Sequence, residues 1–149
     1  MAGGIYQLVL RLGRARVIRI GRLGRFVFPA GHYVYTGSGG RAREKRIARH
    51  LLARPGGRCR KKMRWHIDYL RRWCEVTWIW RGEANECARN RWTARLPGAR
   101  VPVRGFGSSD CRCPAHLCFF GRLPQALARS MRVASASDQV AKARAMRSR

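Results

Sequence analysis

Residues 3–12 read GGIYQLVLRL and residues 31–38 read GHYVYTGS; these two stretches decide the fold. The core of each, 5–12 and 33–36, is apolar or aromatic and prone to extended structure, so each predicts a strand. Between them the chain breaks at 13–16 and resumes apolar character at 17–20, in the manner of a hairpin. A short apolar run at 26–28, punctuated at 29–31 and followed by the second stretch, predicts a second short hairpin. The first third of the chain is expected to be a small antiparallel sheet.

Working outward, residues 41–53 fit a helix whose apolar face is Ile47, Ala48, Leu51 and Leu52, with Arg43, Arg46, Arg49 and His50 on the other side. Pro55 and Gly56 end it. Residues 54–64 are a basic connection crowded around Cys59, 65–73 fit a short helix, 75–80 a strand and 83–96 a second long helix stopped by Pro97 and Gly98. Residues 101–114 are rich in Gly, Ser and Pro and read as a loop leading into the apolar run 117–120. Beyond Gly121 the aromatics disappear, as in a mobile tail that turns helical on a partner. The expected architecture is α/β, of the α+β kind: a small, mainly antiparallel central sheet flanked by helices over residues 1–120, then a basic tail over 121–149.

The chain has 149 residues, 46% of them apolar, enough for one packed domain and too few for a second. Lys and Arg number 33 against 7 acids, a net charge of +26. Up to residue 120 there are 26 basic against 6 acidic residues, so the folded part itself is cationic. A neutral metabolite does not explain that excess, whereas phosphate contacts and counterion release do. Nucleic acid is the expected partner. No apolar run approaches the roughly 20 residues of a membrane span and the N-terminus lacks a secretory stretch, so no membrane and a cytoplasmic location are expected. The six cysteines, Cys59, Cys74, Cys87, Cys111, Cys113 and Cys118, then read as reduced thiols or metal ligands rather than a disulfide framework.

Certain residues have the chemistry for phosphodiester hydrolysis. Tyr6 and Tyr35 lie on predicted strands, and Arg46 and His50, four apart, share a helical face and can point at one phosphate. Glu86 offers a hard oxygen to a divalent ion. Such a reaction needs a proton acceptor, a cation for the charge growing on phosphorus, and a metal at the leaving oxygen. Each residue also has a plainer use: the tyrosines pack in a sheet, Arg46 is a solvated charge, and Glu86 neutralises Arg89 or Arg91. Cys111, Cys113 and His116, with Cys118 close behind, permit a zinc site; alternatively the loop 105–114 forms a wall of the active cleft with Asp110 or Cys111 near substrate. His66 and Asp68, two apart, face different sides of a helix and read as structural hydrogen-bonding groups.

Gly4-Ile5-Tyr6, then Tyr35-Thr36-Gly37, then a helix with Arg46 and a later Glu86, resembles the GIY-YIG nuclease superfamily. GGIYQLVLRL, GRLGRFVFPAGHYVYTGS, RIARHL, WHIDYL and GFGSSDCRCPAHL look more closely like an uncharacterised GIY-YIG-like domain that in some proteins is fused to endonuclease III. The resemblance covers residues 3–120. It implies Tyr6 as the activating phenol, Tyr35 as the second motif's tyrosine, Arg46 as charge stabiliser, His50 as helper and Glu86 as ligand for Mg²⁺ or Mn²⁺. It also implies a structure-selective or weakly specific DNA endonuclease, with DNA repair as its setting. DNA, favoured over RNA, would be held by Arg43, Arg49, Arg60, Lys61, Lys62 and the tail. Three features depart from the superfamily: threonine centres the second motif; it follows the first by 29 residues, an interval an extra hairpin would accommodate; and the superfamily's late asparagine has no equivalent near 105–110, where Ser109 and Asp110 offer polar groups instead. The competing reading is a non-catalytic DNA- or RNA-binding module that keeps the fold.

Overall fold

The strand β1 (Gly3–Leu12) lies inside the main sheet, hydrogen-bonded along both edges. The computed structural model describes residues 3–53 and 62–131. On one side β1 runs antiparallel to β4 (Gly31–Ser38), with Tyr6 opposite Gly37 and Leu8 opposite Tyr35. On the other it runs antiparallel to β5 (Glu75–Ala84), and β6 (Leu117–Phe120) pairs with β4, giving the order β5-β1-β4-β6. A strand covered on both faces reads as a near-continuous apolar run, which is why residues 5–12 carry so strong a signal.

Alternation splits β1 between two cores. Tyr6, Leu8, Leu10 and Leu12 join the larger one, with Ile47 of α1 (Arg43–His50) and Ile67 and Leu70 of α2 (His66–Arg71). Val9 joins Val34, Cys118 and Phe120 against Leu127 and Met131 of α4 (Gln125–Met131). The sheet is thus an antiparallel layer flanked by helices, the α+β class the sequence predicts.

Strand pairing differs from the sequence expectation. β2 (Arg16–Ile20) pairs with β3 (Gly24–Phe28) rather than with β1, and β4 pairs with β1 rather than with β3. β4 and β5 occupy both edges of β1, leaving no edge for β2. A three-residue turn, Gly21–Leu23, joins β2 to β3 instead, with left-handed Gly21 at φ +48°. This separate two-stranded hairpin fills the long interval between the two tyrosine motifs, packing Ile18, Ile20 and Phe28 into the larger core.

The second long helix starts later than expected. Glu83 and Ala84 are still in β5, paired with Gly4 and Gly3, and α3 spans Glu86–Ala94. Asn85 between them caps the helix, its side chain accepting the Ala88 N–H at 3.0 Å. The fold also continues past residue 120, because α4 buries Leu127 and Met131 where a mobile tail was expected. Residues 132–149 of that tail lie outside the described residues, as does the loop segment 54–61 with Arg60, Lys61 and Cys59.

Candidate active site

Two glycines set the geometry at the start of β1. A Cβ on Gly37 would lie 2.6 Å from the Tyr6 ring, so only glycine lets that ring cross the facing strand. A Cβ on Gly4 would lie 2.7 Å from the Gly40 carbonyl oxygen, in the turn that leads into α1. Through these contacts α1 is drawn close to the end of β1. Its last residue, His50, is fully buried, with Nε2 2.7 Å from the Tyr6 hydroxyl. The Tyr35 ring packs against both, at centroid distances of 6.3 Å from Tyr6 and 5.9 Å from His50.

Tyr6, Tyr35, Arg46 and Glu86 line one open cleft of about 280 Å³, while His50 stands behind Tyr6. Arg46 is exposed on α1 and donates to the Ser38 carbonyl oxygen at 2.5 Å, which holds its guanidinium at the rim. Trp65, Ser38 and His66 add to the lining. The facing wall is the loop before β6, through Gly107, Ser109 and Asp110, and the Gly107 N–H donates to His66 Nδ1 at 2.9 Å.

Burial pushes the Tyr6 phenol well above its ordinary value of about 10; Tyr35 and Glu86 push the same way and Arg46 opposes. Tyr35 is raised for the same leading reason, with the charges of Glu86 and Asp68 adding to it. Both phenols are therefore neutral hydrogen-bonding groups at neutral pH. Burial would raise the Glu86 carboxyl too, but hydrogen bonds from His116 and Ser38 and the nearby charges of His116 and Arg46 outweigh it and hold the group below its ordinary range.

Glu86 turns toward His116 rather than toward the arginines of its own helix. Its Oε1 lies 2.9 Å from His116 Nδ1. Arg89 instead bonds Gln7 Oε1 and Ser130 Oγ. Beyond His116 is a cluster of soft ligands: Cys87, Cys111, Cys113 and His116 place one ligand atom each within 4.8 Å of the others, a set that could hold a metal ion. Cys118, two residues beyond His116, is in the core of β6, and the fourth ligand is Cys87, on α3. The apolar run 117–120 signals that Cys118 is a core residue; nothing local in sequence brings Cys87 across to the loop. The Cys87 thiol is pushed up to about 12 by burial and by the adjoining thiols of Cys113 and Cys111.

The residues expected to hold DNA divide. Arg49 bonds both oxygens of fully buried Asp68, at 2.8 and 3.1 Å, and also the Lys62 carbonyl oxygen. Asp68 also accepts the Arg64 and Trp65 N–H groups, so it anchors the start of α2. Arg43 bonds Glu83 and the Gly82 carbonyl oxygen at the β5 end. Lys62 is exposed, as is Arg64 at the cleft. Among the described residues no helix is long and apolar enough to cross a membrane.

A family model described as a domain of unknown function, DUF123, matches residues 5–139. No curated protein matches the chain. No solved structure does so either.

Proposed function

We propose that this chain, which belongs to the DUF123 family, is a structure-selective or weakly specific endonuclease that hydrolyses DNA phosphodiester bonds, with the mechanism the GIY-YIG resemblance implies. The observation that carries this reading is the convergence of Tyr6, Tyr35, Arg46 and Glu86 on one open cleft, with His50 joined to the Tyr6 hydroxyl. Chance surface placement would scatter residues that are 80 positions apart in sequence.

The raised phenol of Tyr6 is a poor base by itself, and its hydrogen bond to His50 supplies the remedy. With the imidazole proton on Nδ1, His50 Nε2 can accept the phenol proton while the phenol oxygen takes one from water. The water oxygen then forms its bond to phosphorus as the bond to the leaving strand breaks. Tyr35 orders the water and the Tyr6 ring. Arg46 faces the negative charge that grows on the phosphoryl oxygens, and its fixed position requires little reorganisation.

Glu86 fits a hard divalent ion: it is a partly exposed carboxylate on the cleft, with oxygen donors of Ser109 and Asp110 on the same lining. Mg²⁺ or Mn²⁺ held there would stabilise the leaving oxygen. The thiolates beyond His116 would take a soft ion such as zinc instead.

Purified full-length protein with Mg²⁺ or Mn²⁺ is expected to nick plasmid, branched or damaged DNA. Arg46→Ala and Glu86→Ala should each lower the rate by at least about 100-fold, with the circular dichroism spectrum unchanged. Cleavage that survives both substitutions would overturn the assignment. The net charge of +26 supports a second reading, a binding module without turnover. It predicts steeply salt-dependent affinity and no metal-stimulated cleavage; competition between duplex DNA and structured RNA would then identify its partner.

A further inference from the structure

We propose that Cys87, Cys111, Cys113 and His116 form a zinc site, and that zinc on His116 Nε2 fixes the proton on Nδ1, from which it holds the Glu86 carboxylate in position. His116 Nε2 lies 3.3 Å from Cys111 Sγ and 3.7 Å from Cys87 Sγ. A tetrahedral ion with Zn–S of about 2.3 Å and Zn–N of about 2.0 Å puts such neighbours roughly 3.6 Å apart. The cluster's overall spread, within 4.8 Å, needs only a small contraction to close on an ion. Three thiolates and one imidazole are a soft, four-ligand set that leaves no position for water, as in structural zinc sites. Binding would displace three thiol protons to solvent.

The ligands come from α3 and from the loop before β6, which Asn90 of α3 also holds by donating to the Ala115 oxygen at 2.7 Å. Cys87 is in the first turn of α3, Cys111 and Cys113 are in the loop, and His116 immediately precedes β6. Between α3 and β6 no helix or named strand forms, and the loop is held by backbone bonds such as Gly105 N–H to the Pro114 oxygen and His116 N–H to the Phe106 oxygen. The same loop carries Ser109 and Asp110 to the cleft. A metal at this point would fasten the cleft wall to α3. A second hollow of about 450 Å³, bordered by Cys87, Cys111 and His116, gives an ion a path in.

His116 joins the two halves of the site. Its Nε2 faces the thiols while its Nδ1 meets Glu86 Oε1 at 2.9 Å, the carboxylate–histidine arrangement that orients metal-bound imidazoles. Glu86 is thereby held from behind while its exposed edge stays on the cleft. Zinc binding does not require that the cleft cleave anything, so the site stands or falls apart from the nuclease reading.

Full-length protein prepared with zinc should retain one ion per chain after gel filtration, and X-ray absorption should give a first shell of three sulfurs and one nitrogen. Cys113→Ser should lose the ion. Glu86→Ala should weaken zinc by about 10- to 100-fold in competition with a chromophoric chelator, and Glu86→Gln, which still accepts from Nδ1, by less. Wild-type protein that releases zinc on gel filtration, or a shell dominated by oxygen, would overturn the site. Equal zinc affinity in Glu86→Ala and wild type would overturn the link to the carboxylate.

Discussion

Tyr6 and Gln7 are consecutive residues of the same strand, both polar and both buried, yet they project from opposite faces of the sheet into different surroundings. Gln7 is saturated. Its Nε2 donates to Thr36 Oγ1 at 3.0 Å and Thr93 Oγ1 at 2.8 Å, and its Oε1 accepts from Arg89 Nε. Arg89 is covered in turn by the rings of Trp80 and Trp92, at 3.9 and 4.2 Å from their centroids. Tyr6 has its deep partner in His50, but its outer edge borders the cleft. A closed polar network fixes packing, whereas one left open on a cavity keeps capacity for water or a phosphate.

Paired substitutions should separate the two. Tyr6→Phe removes one hydroxyl, and its expected effect is on rate: a loss of about 100- to 10,000-fold in cleavage, the usual range for a positioned acid–base group, with the protein still folded. Gln7→Leu should do the opposite. It strips partners from Thr36, Thr93 and Arg89, and denaturant unfolding should show a loss of about 2–4 kcal/mol while the surviving folded fraction cleaves at the wild-type rate. A Tyr6→Phe protein that unfolds while Gln7→Leu merely slows would reverse the comparison.

Gly37→Ala should fall between them. The added methyl meets the Tyr6 ring at 2.6 Å, so either the ring or the strand must shift. Overpacking of this kind costs about 1–3 kcal/mol. Because the displaced ring carries the hydroxyl bonded to His50, cleavage should fall as well, and thermal melting alongside plasmid nicking would show both losses in one variant. Wild-type behaviour on both measures would mean the close approach of strand and ring has no consequence.

These contrasts also explain how much could be read from the sequence. β1 was legible because its run of apolar residues is buried on both faces, and the helix carrying Arg46 and His50 because its apolar face is periodic. The wrong pairing of β2 had a physical origin: a break at 13–16 looks the same whether the next strand folds back on β1 or on a later partner, and only the long register of β1 with β4 and β5 decides it. Glu83 and Ala84 read as helical because Asn85, the residue that starts the helix, resembles the rest of that polar stretch. At the site, Tyr6 and Tyr35 can be singled out by their neighbouring glycines, Arg46 by its four-residue spacing from His50, and Glu86 as one of only seven acids, the series as a whole resembling a known motif order. Cys87 could not, since its nearest cluster partner in sequence is Cys111 and the contact exists only through the packing of α3 against the loop. Arg49 reads in sequence as one of the cations that hold DNA, and its bond to Asp68 is likewise a tertiary fact.

Alkaline titration supplies the finest distinction between the two networks, because Gln7 has no proton to lose. Burial raises Tyr6 above the pKa of about 10 that it has in the unfolded chain. The folded state therefore keeps the proton while the unfolded state gives it up, so the associated stability is present in full below pH 10 and drains away as pH rises toward the folded value. The loss grows with each step of pH above 10 until the folded phenol ionises too. Tyr33 and Tyr35 are raised by burial in the same direction and add their own shares. Wild-type protein should accordingly weaken steeply above pH 10, and Tyr6→Phe should weaken less by one tyrosine's share. Gln7→Leu should instead run parallel to wild type, displaced by a constant amount. Denaturant midpoints at pH 8, 10 and 11 would check this; a Tyr6→Phe curve parallel to wild type would mean that the phenol ionises as readily in the folded chain as out of it, and that its hydroxyl is far wetter than its place beside His50 implies.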